Sequence, residues 1–310
     1  MTIPDRQILA ASLAPYGIGR PGGVLEIPFA QDAGLTQDSN IKTFTHGITD
    51  IDACYVAQLD EKNMVLGFRG TALAGQGNNM QALIDWINNF MAQPVSGEDV
   101  KIPGMLHEGF KSSTVGLMNS GTADHIRENL QDDMNLIVTG YSKGAALTPI
   151  AAAWIAENLD IDPARIKVRM FEPPRAGDLD FRSWFDRRFK DAERYEFQDD
   201  IVPHVPPVRV FTELLIRIPE IGPYLAQFQG MENWNYKHVG KLNFINWDNK
   251  IVGYSPLLFS RRVGNLLTLI TTGQYKRLLS DHMPCGNIYD VLWEGHETRA
   301  CELLKDELGL

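Results

Sequence analysis

Ser142 is the residue of this chain best placed to attack a carbonyl carbon. It stands at the centre of Gly140-Tyr141-Ser142-Lys143-Gly144. A Gly-x-Ser-x-Gly pentapeptide allows the backbone to turn sharply where a Cβ at either glycine would collide. Upstream, Leu136-Ile137-Val138-Thr139 is an apolar, β-branched run that reads as a buried strand. Downstream, residues 145–158 are alanine-rich and favour a helix. A strand and a helix joined in this way hold a strained serine with its Oγ above a sheet, and the chemistry this suits is nucleophilic acyl transfer.

A serine hydroxyl is a weak nucleophile until an imidazole takes its proton. That imidazole in turn needs a carboxylate to fix its tautomer and stabilise its charged form. On a strand-to-helix turn the partners follow the serine in chain order, acid before histidine. Four histidines follow Ser142: His204, His238, His282 and His296. His204 is too near Asp200 to leave chain for two separate loops, and His296 lies in the polar C-terminal region. His282 follows an expected helix and sits in a loop marked by Pro284 and Gly286, so it is the favoured base, with His238 next. Asp200 is the favoured acid, at the end of an expected strand and ahead of Pro203, Pro206 and Pro207. Asp199 is its neighbour and would point the other way if the strand alternation persists.

The tetrahedral intermediate of acyl transfer also needs donors at its oxyanion. The backbone N–H of Lys143, just after the serine, is the expected first donor. Arg69-Gly70-Thr71 follows the expected strand Met64-Val65-Leu66-Gly67-Phe68 and lies where a second donor should be. Thr71 offers an N–H and a hydroxyl. The bland alternative is that it only ends the strand.

These residues need a scaffold, and short apolar runs alternating with helical patterns predict an α/β domain. Further strands are expected at 168–171, at 194–197 and, as a hairpin, at 242–245 and 250–254. Helices are expected at 80–91, from His107 to about Leu130, and at 266–279. No linker or repeat interrupts the 310 residues, so a single domain over 1–310 is expected. With 44% hydrophobic and 22% charged residues a sizeable core is available, and a net charge of −10 argues against nucleic acid and anionic membranes as partners. A lipid-facing surface would then rely on apolar contacts. Cys54, Cys285 and Cys301 are few and scattered, and read as reduced thiols rather than a disulfide framework or zinc site. The opening residues lack a basic stretch followed by an apolar one, so a cytoplasmic protein is the default, with leaderless secretion left open. The apolar stretch 145–156 is interrupted by Thr148 and Pro149, and no transmembrane segment is expected.

Together these segments resemble the class 3 lipase family, the fungal triacylglycerol lipase-like branch of the α/β-hydrolases. In family order they are Phe68-Arg69-Gly70-Thr71, Asp85-Trp86, His107-Glu108-Gly109-Phe110, the pentapeptide at Ser142, Pro174-Arg175-Ala176-Gly177, Asp200-Ile201-Val202-Pro203 and Asp281-His282. The resemblance implies an α/β-hydrolase fold: a central, mostly parallel sheet flanked by helices, with a short helical lid. It implies Ser142, Asp200 and His282 as triad, Thr71 and Lys143 as oxyanion hole, and hydrolysis of a lipid or other ester, with a lipid–water interface as one setting. Phospholipase A1 and short-chain carboxylesterase fit the same machinery. No metal or other cofactor is implied. The alternative of another class is a catalytically idle scaffold used for binding.

The chain departs from the family at Tyr141, Lys143 and Ala145, where His, Leu and Gly are common. A backbone donor does not depend on its side chain, so Lys143 is expected only to make the rim more polar. Pro149 is expected to kink or end a turn of its helix. A lid is expected near residues 72–80, ahead of structural packing from Ile84 and Trp86 onward, and the apolar stretch 210–228 is expected to cover the sheet rather than line an acyl groove. The secreted fungal members carry disulfides, which this chain is expected to lack.

Overall fold

The computed structural model describes residues 2–19, 24–71, 90–209, 212–213, 216, 230, 233–298 and 300–303. The expected lid and the helix at 80–91 fall almost wholly outside the described residues, as does most of 210–228.

Ten strands are present among the described residues: β1 (Lys42–His46), β2 (Asp52–Asp60), β3 (Asn63–Phe68), β4 (Pro94–Ser96), β5 (Met105–His107), β6 (Asn135–Tyr141), β7 (Ile166–Phe171), β8 (Glu193–Phe197), β9 (Lys241–Ile245) and β10 (Ile251–Val252). Eight form one sheet in the order β1-β2-β3-β6-β7-β8-β9-β10, and β4 pairs separately with β5. From β3 to β9 the strands run parallel, with antiparallel pairs at both edges. This is the α/β architecture that the alternation of elements predicts, with the mostly parallel, helix-flanked sheet that the resemblance implies.

Side chains of successive strand residues face opposite sides, and both faces are covered. Leu136, Val138, Val168 and Met170 join one core with Ala145, Leu147, Ile150 and Ala151 of the helix Lys143–Leu159. Ile137 and Phe171 face the other way, onto Ile8, Leu9 and Ala11 of the helix Asp5–Leu13 and onto Phe29 and Tyr289. Burying each such large apolar side chain contributes about 1.5–3 kcal/mol, and the five parallel strands gain from it on both faces.

The helix Lys143–Leu159 runs on through Pro149. Two expectations are corrected. The last long helix begins ten residues earlier than its periodicity suggests, at Pro256, because Ser255 caps it by accepting the N–H of Leu258 at 3.1 Å. It stops at Thr271, and after Gly273 (φ +71°) a second helix, Tyr275–Ser280, leads to His282. Lastly, Cys285 and Cys301 are not reduced thiols but a disulfide, while Cys54 is a free, buried cysteine.

Candidate active site

The sheet register aligns the candidate residues along one edge. Phe68 pairs with Gly140 and Tyr141 with Phe171, so β3, β6 and β7 end together. Thr71 follows β3, Ser142 follows β6 and Asp200 follows β8. The carboxyl ends of parallel strands are where such folds place ligands.

Ser142 adopts φ +58° and ψ −127°, which for a residue with a Cβ is strained backbone. The turn is held by close packing. A Cβ on Gly140 would lie 2.3 Å from the carbonyl carbon of Gly144, and one on Gly144 would lie 2.3 Å from the Phe68 oxygen. The Ser142 N–H donates to the Phe171 carbonyl at 3.0 Å, which ties the turn to the neighbouring strand. Lys143 opens the helix, so its N–H has no intrahelical partner and points out of the helix start. Its side chain turns aside, with Nζ 2.6 Å from Asp52 Oδ1 on β2.

The structure brings Asp200 and His282 into direct contact. His282 Nδ1 lies 2.7 Å from Asp200 Oδ2, and both residues are buried. The second oxygen, Oδ1, accepts the N–H of Val202 at 2.8 Å, which fixes the carboxylate. His282 is tied to the β6 end as well: the Tyr141 hydroxyl donates to the His282 carbonyl at 2.7 Å, and the two rings lie 5.4 Å apart. The base is thereby fastened to the residue immediately before Ser142.

The competing residues have other partners. Asp199 does face elsewhere: one oxygen accepts from Asn265 at 3.1 Å and the other lies 2.9 Å from Arg277 Nη2. Its N–H donates to Asp281 at 3.1 Å, so the acid loop and the end of the helix before His282 are stitched together. Burial, opposed by that N–H, pushes the Asp281 carboxyl up to about 6. His238 Nε2 meets the Pro203 carbonyl at 2.6 Å and lies 3.8 Å from the Glu196 carboxylate. His204 is buried among arginines, and burial together with Arg262 and Arg175 holds it well below the usual histidine range. His296 packs its ring against Trp293.

Thr71 is half-buried on the loop that β3 feeds. Gly70 sets its place: a Cβ there would lie 2.2 Å from the Tyr16 hydroxyl and 2.6 Å from the Tyr141 carbonyl. The loop therefore rests directly on the end of β6. Arg69 braces it from outside, bonding the carbonyls of Ile18, Asp50 (2.6 Å) and Ile51 (3.0 Å).

Sequence reasoning missed two neighbours. Tyr141 was noted only as a departure, although a tyrosine inside a buried strand end must find a partner for its hydroxyl. Glu172 was not noted at all. It is fully buried, and a carboxyl oxygen of Glu172, one of Asp200 and a ring nitrogen of His282 all lie within 4.8 Å of one another. A lone acid between Phe171 and two prolines at a strand end was the available signal. Such spacing also suits a metal ion, but here Nδ1 of His282 already meets Asp200. The His107 motif is structural: Nδ1 accepts the N–H of Phe110 to cap a helix, and Nε2 meets the Phe90 carbonyl at 2.9 Å.

Residues 65–210 match the family model for lipase (class 3). The lipase of Rhizopus niveus is 29% identical over 171 residues, which cover 54% of this chain and 41% of that one. Phospholipase A(1) DAD1, a chloroplastic protein of Arabidopsis thaliana, is 25% identical over 170 residues, or 49% of this chain and 36% of that one. The chain thus spans about two fifths of the length of these curated relatives. The solved triacylglyceride lipase of Rhizomucor miehei superposes with a TM-score of 0.56 at 22% identity, covering 77% of each chain, which shows a shared fold. Thr71, Ser142, Lys143 and Asp200 fall within the matched segment, and His282 lies beyond it. Over residues 65–210 this chain is therefore similar to the class 3 lipase family.

Proposed function

We propose that this protein is a serine hydrolase that cleaves carboxylic esters of lipids, of the triacylglycerol lipase type, on a single α/β-hydrolase domain. The observation that carries this reading is the buried 2.7 Å contact between His282 and Asp200, anchored through Tyr141 beside a strained serine. Ser142 Oγ attacks the acyl carbonyl while His282 Nε2 takes its proton, and Asp200 stabilises the imidazolium through Nδ1. The oxyanion is met by the Lys143 N–H and by the N–H and hydroxyl of Thr71, each such donor contributing about 3–4 kcal/mol in the transition state. His282 returns the proton to the leaving alcohol, and water then releases the acid by the same steps in reverse. The chemistry asks for no metal and no organic cofactor.

Similarity to a phospholipase A(1) supports a second reading of the same machinery, cleavage of the acyl ester of a phospholipid. The Cys285–Cys301 bridge supports an oxidising compartment, and so an exported protein, over a reducing cytoplasm. A p-nitrophenyl ester series from acetate to palmitate, run with and without an emulsified lipid surface, tests the substrate class. Long-chain preference with a rate rise at the surface is expected. A flat response with acetate preferred sinks the lipase assignment in favour of an esterase.

A further inference from the structure

Glu172 is the residue of the site that no step above uses. It directly follows β7 with φ +52°, in the left-handed region that is unfavourable for any residue with a Cβ. Its carboxyl is wholly buried, whereas glycine would take this backbone freely and an apolar side chain would avoid desolvating an acid. Its N–H donates to the Tyr195 carbonyl at 2.9 Å and Pro173 follows it, so the backbone has little room to relax. Strain and desolvation thus fall on one residue, and both serve to place a carboxyl within 4.8 Å of Asp200 and His282.

We propose that Glu172 is a positioning residue for the candidate triad, its buried carboxyl set beside Asp200 and fixing the acid that orients His282. The proposal rests on the ester-hydrolase reading above.

Among the described residues, the ionisable groups facing Glu172 are Asp200 after β8, Glu196 within β8, Tyr141 on β6 and His282. Burial first, then the charge of Asp200 and that of Glu196, hold the Glu172 carboxyl well above the usual carboxylate range. Glu196 stays ionised despite its burial because Arg262, His238 and Arg194 surround it. The Tyr141 hydroxyl, raised by its own burial, stays neutral. Two adjacent buried carboxyls cannot both ionise, and the negative charge settles on Asp200, which already accepts from Val202 N–H and from His282 Nδ1. Glu172 then keeps its proton. That fixed dipole holds Asp200 in place and, through it, keeps the His282 ring in one orientation.

The test compares Glu172→Gly, which accepts the left-handed backbone and removes the donor, with Glu172→Gln, which keeps a neutral donor. In Glu172→Gly, kcat for a p-nitrophenyl ester should fall about tenfold with KM changed less than about twofold. The acid limb of kcat/KM should move up by about half a pH unit, because Asp200 becomes the stronger partner of the imidazolium. Glu172→Gln should recover the wild-type limb and most of the rate. A limb that moves down in Glu172→Gln shows an ionised Glu172 and overturns the proposal, as does a Glu172→Gly enzyme with wild-type kcat and limb. If the wild type hydrolyses no ester, the hydrolase reading itself fails. The proton resonance of the His282–Asp200 hydrogen bond still decides for Glu172: a shift in Glu172→Gly but not in Glu172→Gln is expected, and an unmoved resonance in Glu172→Gly overturns the proposal.

Discussion

Tyr141 donates its hydroxyl to the main-chain carbonyl of His282 at 2.7 Å, across 141 residues of chain. The strand that ends in the candidate nucleophile therefore also holds the loop that carries the candidate base. The loop has its own supports, an Asp199 N–H to Asp281 bond and the disulfide at Cys285, and Tyr141 adds one from the nucleophile's strand.

Tyr141→Phe keeps the ring in the core and removes only that donor. The buried carbonyl of His282 then loses that donor, which costs about 1–3 kcal/mol of stability. A fall in kcat of about tenfold with KM nearly unchanged is expected, since the base moves rather than the substrate pocket. Equilibrium urea unfolding and steady-state kinetics on one preparation check both. An enzyme with full kcat would show that the loop is placed without Tyr141.

The disulfide closes a loop whose ends are 16 residues apart and begins three residues after His282. Closing a loop of this length contributes about 3 kcal/mol, largely by restricting the unfolded chain. Replacing both Cys285 and Cys301 with serine should lower stability by about that amount and lower kcat, because the chain leaving His282 loses its tether. The wild type treated with dithiothreitol should behave like the double variant. Identical melting with and without reductant would contradict this.

His107 gives the molecule a pH dependence of defined sign. Burial, opposed by the Phe90 carbonyl, lowers it to about 4 from an ordinary 6.5, so the folded protein resists a proton that the unfolded chain accepts. Stability is intact above about pH 6.5 and falls as the pH drops toward 4, by on the order of 3 kcal/mol from this residue. His204 and His238 are shifted in the same direction by burial and neighbouring arginines. Urea unfolding at pH 7, 5 and 4 should show a smaller acid loss in His107→Gln than in the wild type. Equal slopes would remove His107 from the account.

Much of this was legible in the sequence for identifiable reasons. β3 and β6 are buried on both faces and so read as apolar runs, β7 and β8 alternate charged with apolar residues, and the two glycines around Ser142 mark a sharp turn. β1 was not legible: only Phe44 of its five residues is buried, and its edge position leaves little pattern. The start of the helix at Pro256 was signalled by Ser255-Pro256, a capping pair overlooked in favour of apolar periodicity. Cys285 and Cys301 looked isolated because their pairing depends on where the last helices pack, which is a tertiary fact. Glu172 escaped notice for the same reason. Its weight comes from Asp200 and His282, 28 and 110 residues further along the chain.

The central claim is that Ser142 is an activated nucleophile, and a fluorophosphonate probe tests it most directly. Intact-mass and peptide analysis should find one probe per chain, on Ser142, with labelling abolished in Ser142→Ala and slowed in His282→Ala. Protein that stays unlabelled, or that carries the probe on another residue while Ser142→Ala hydrolyses esters at the wild-type rate, would contradict the account.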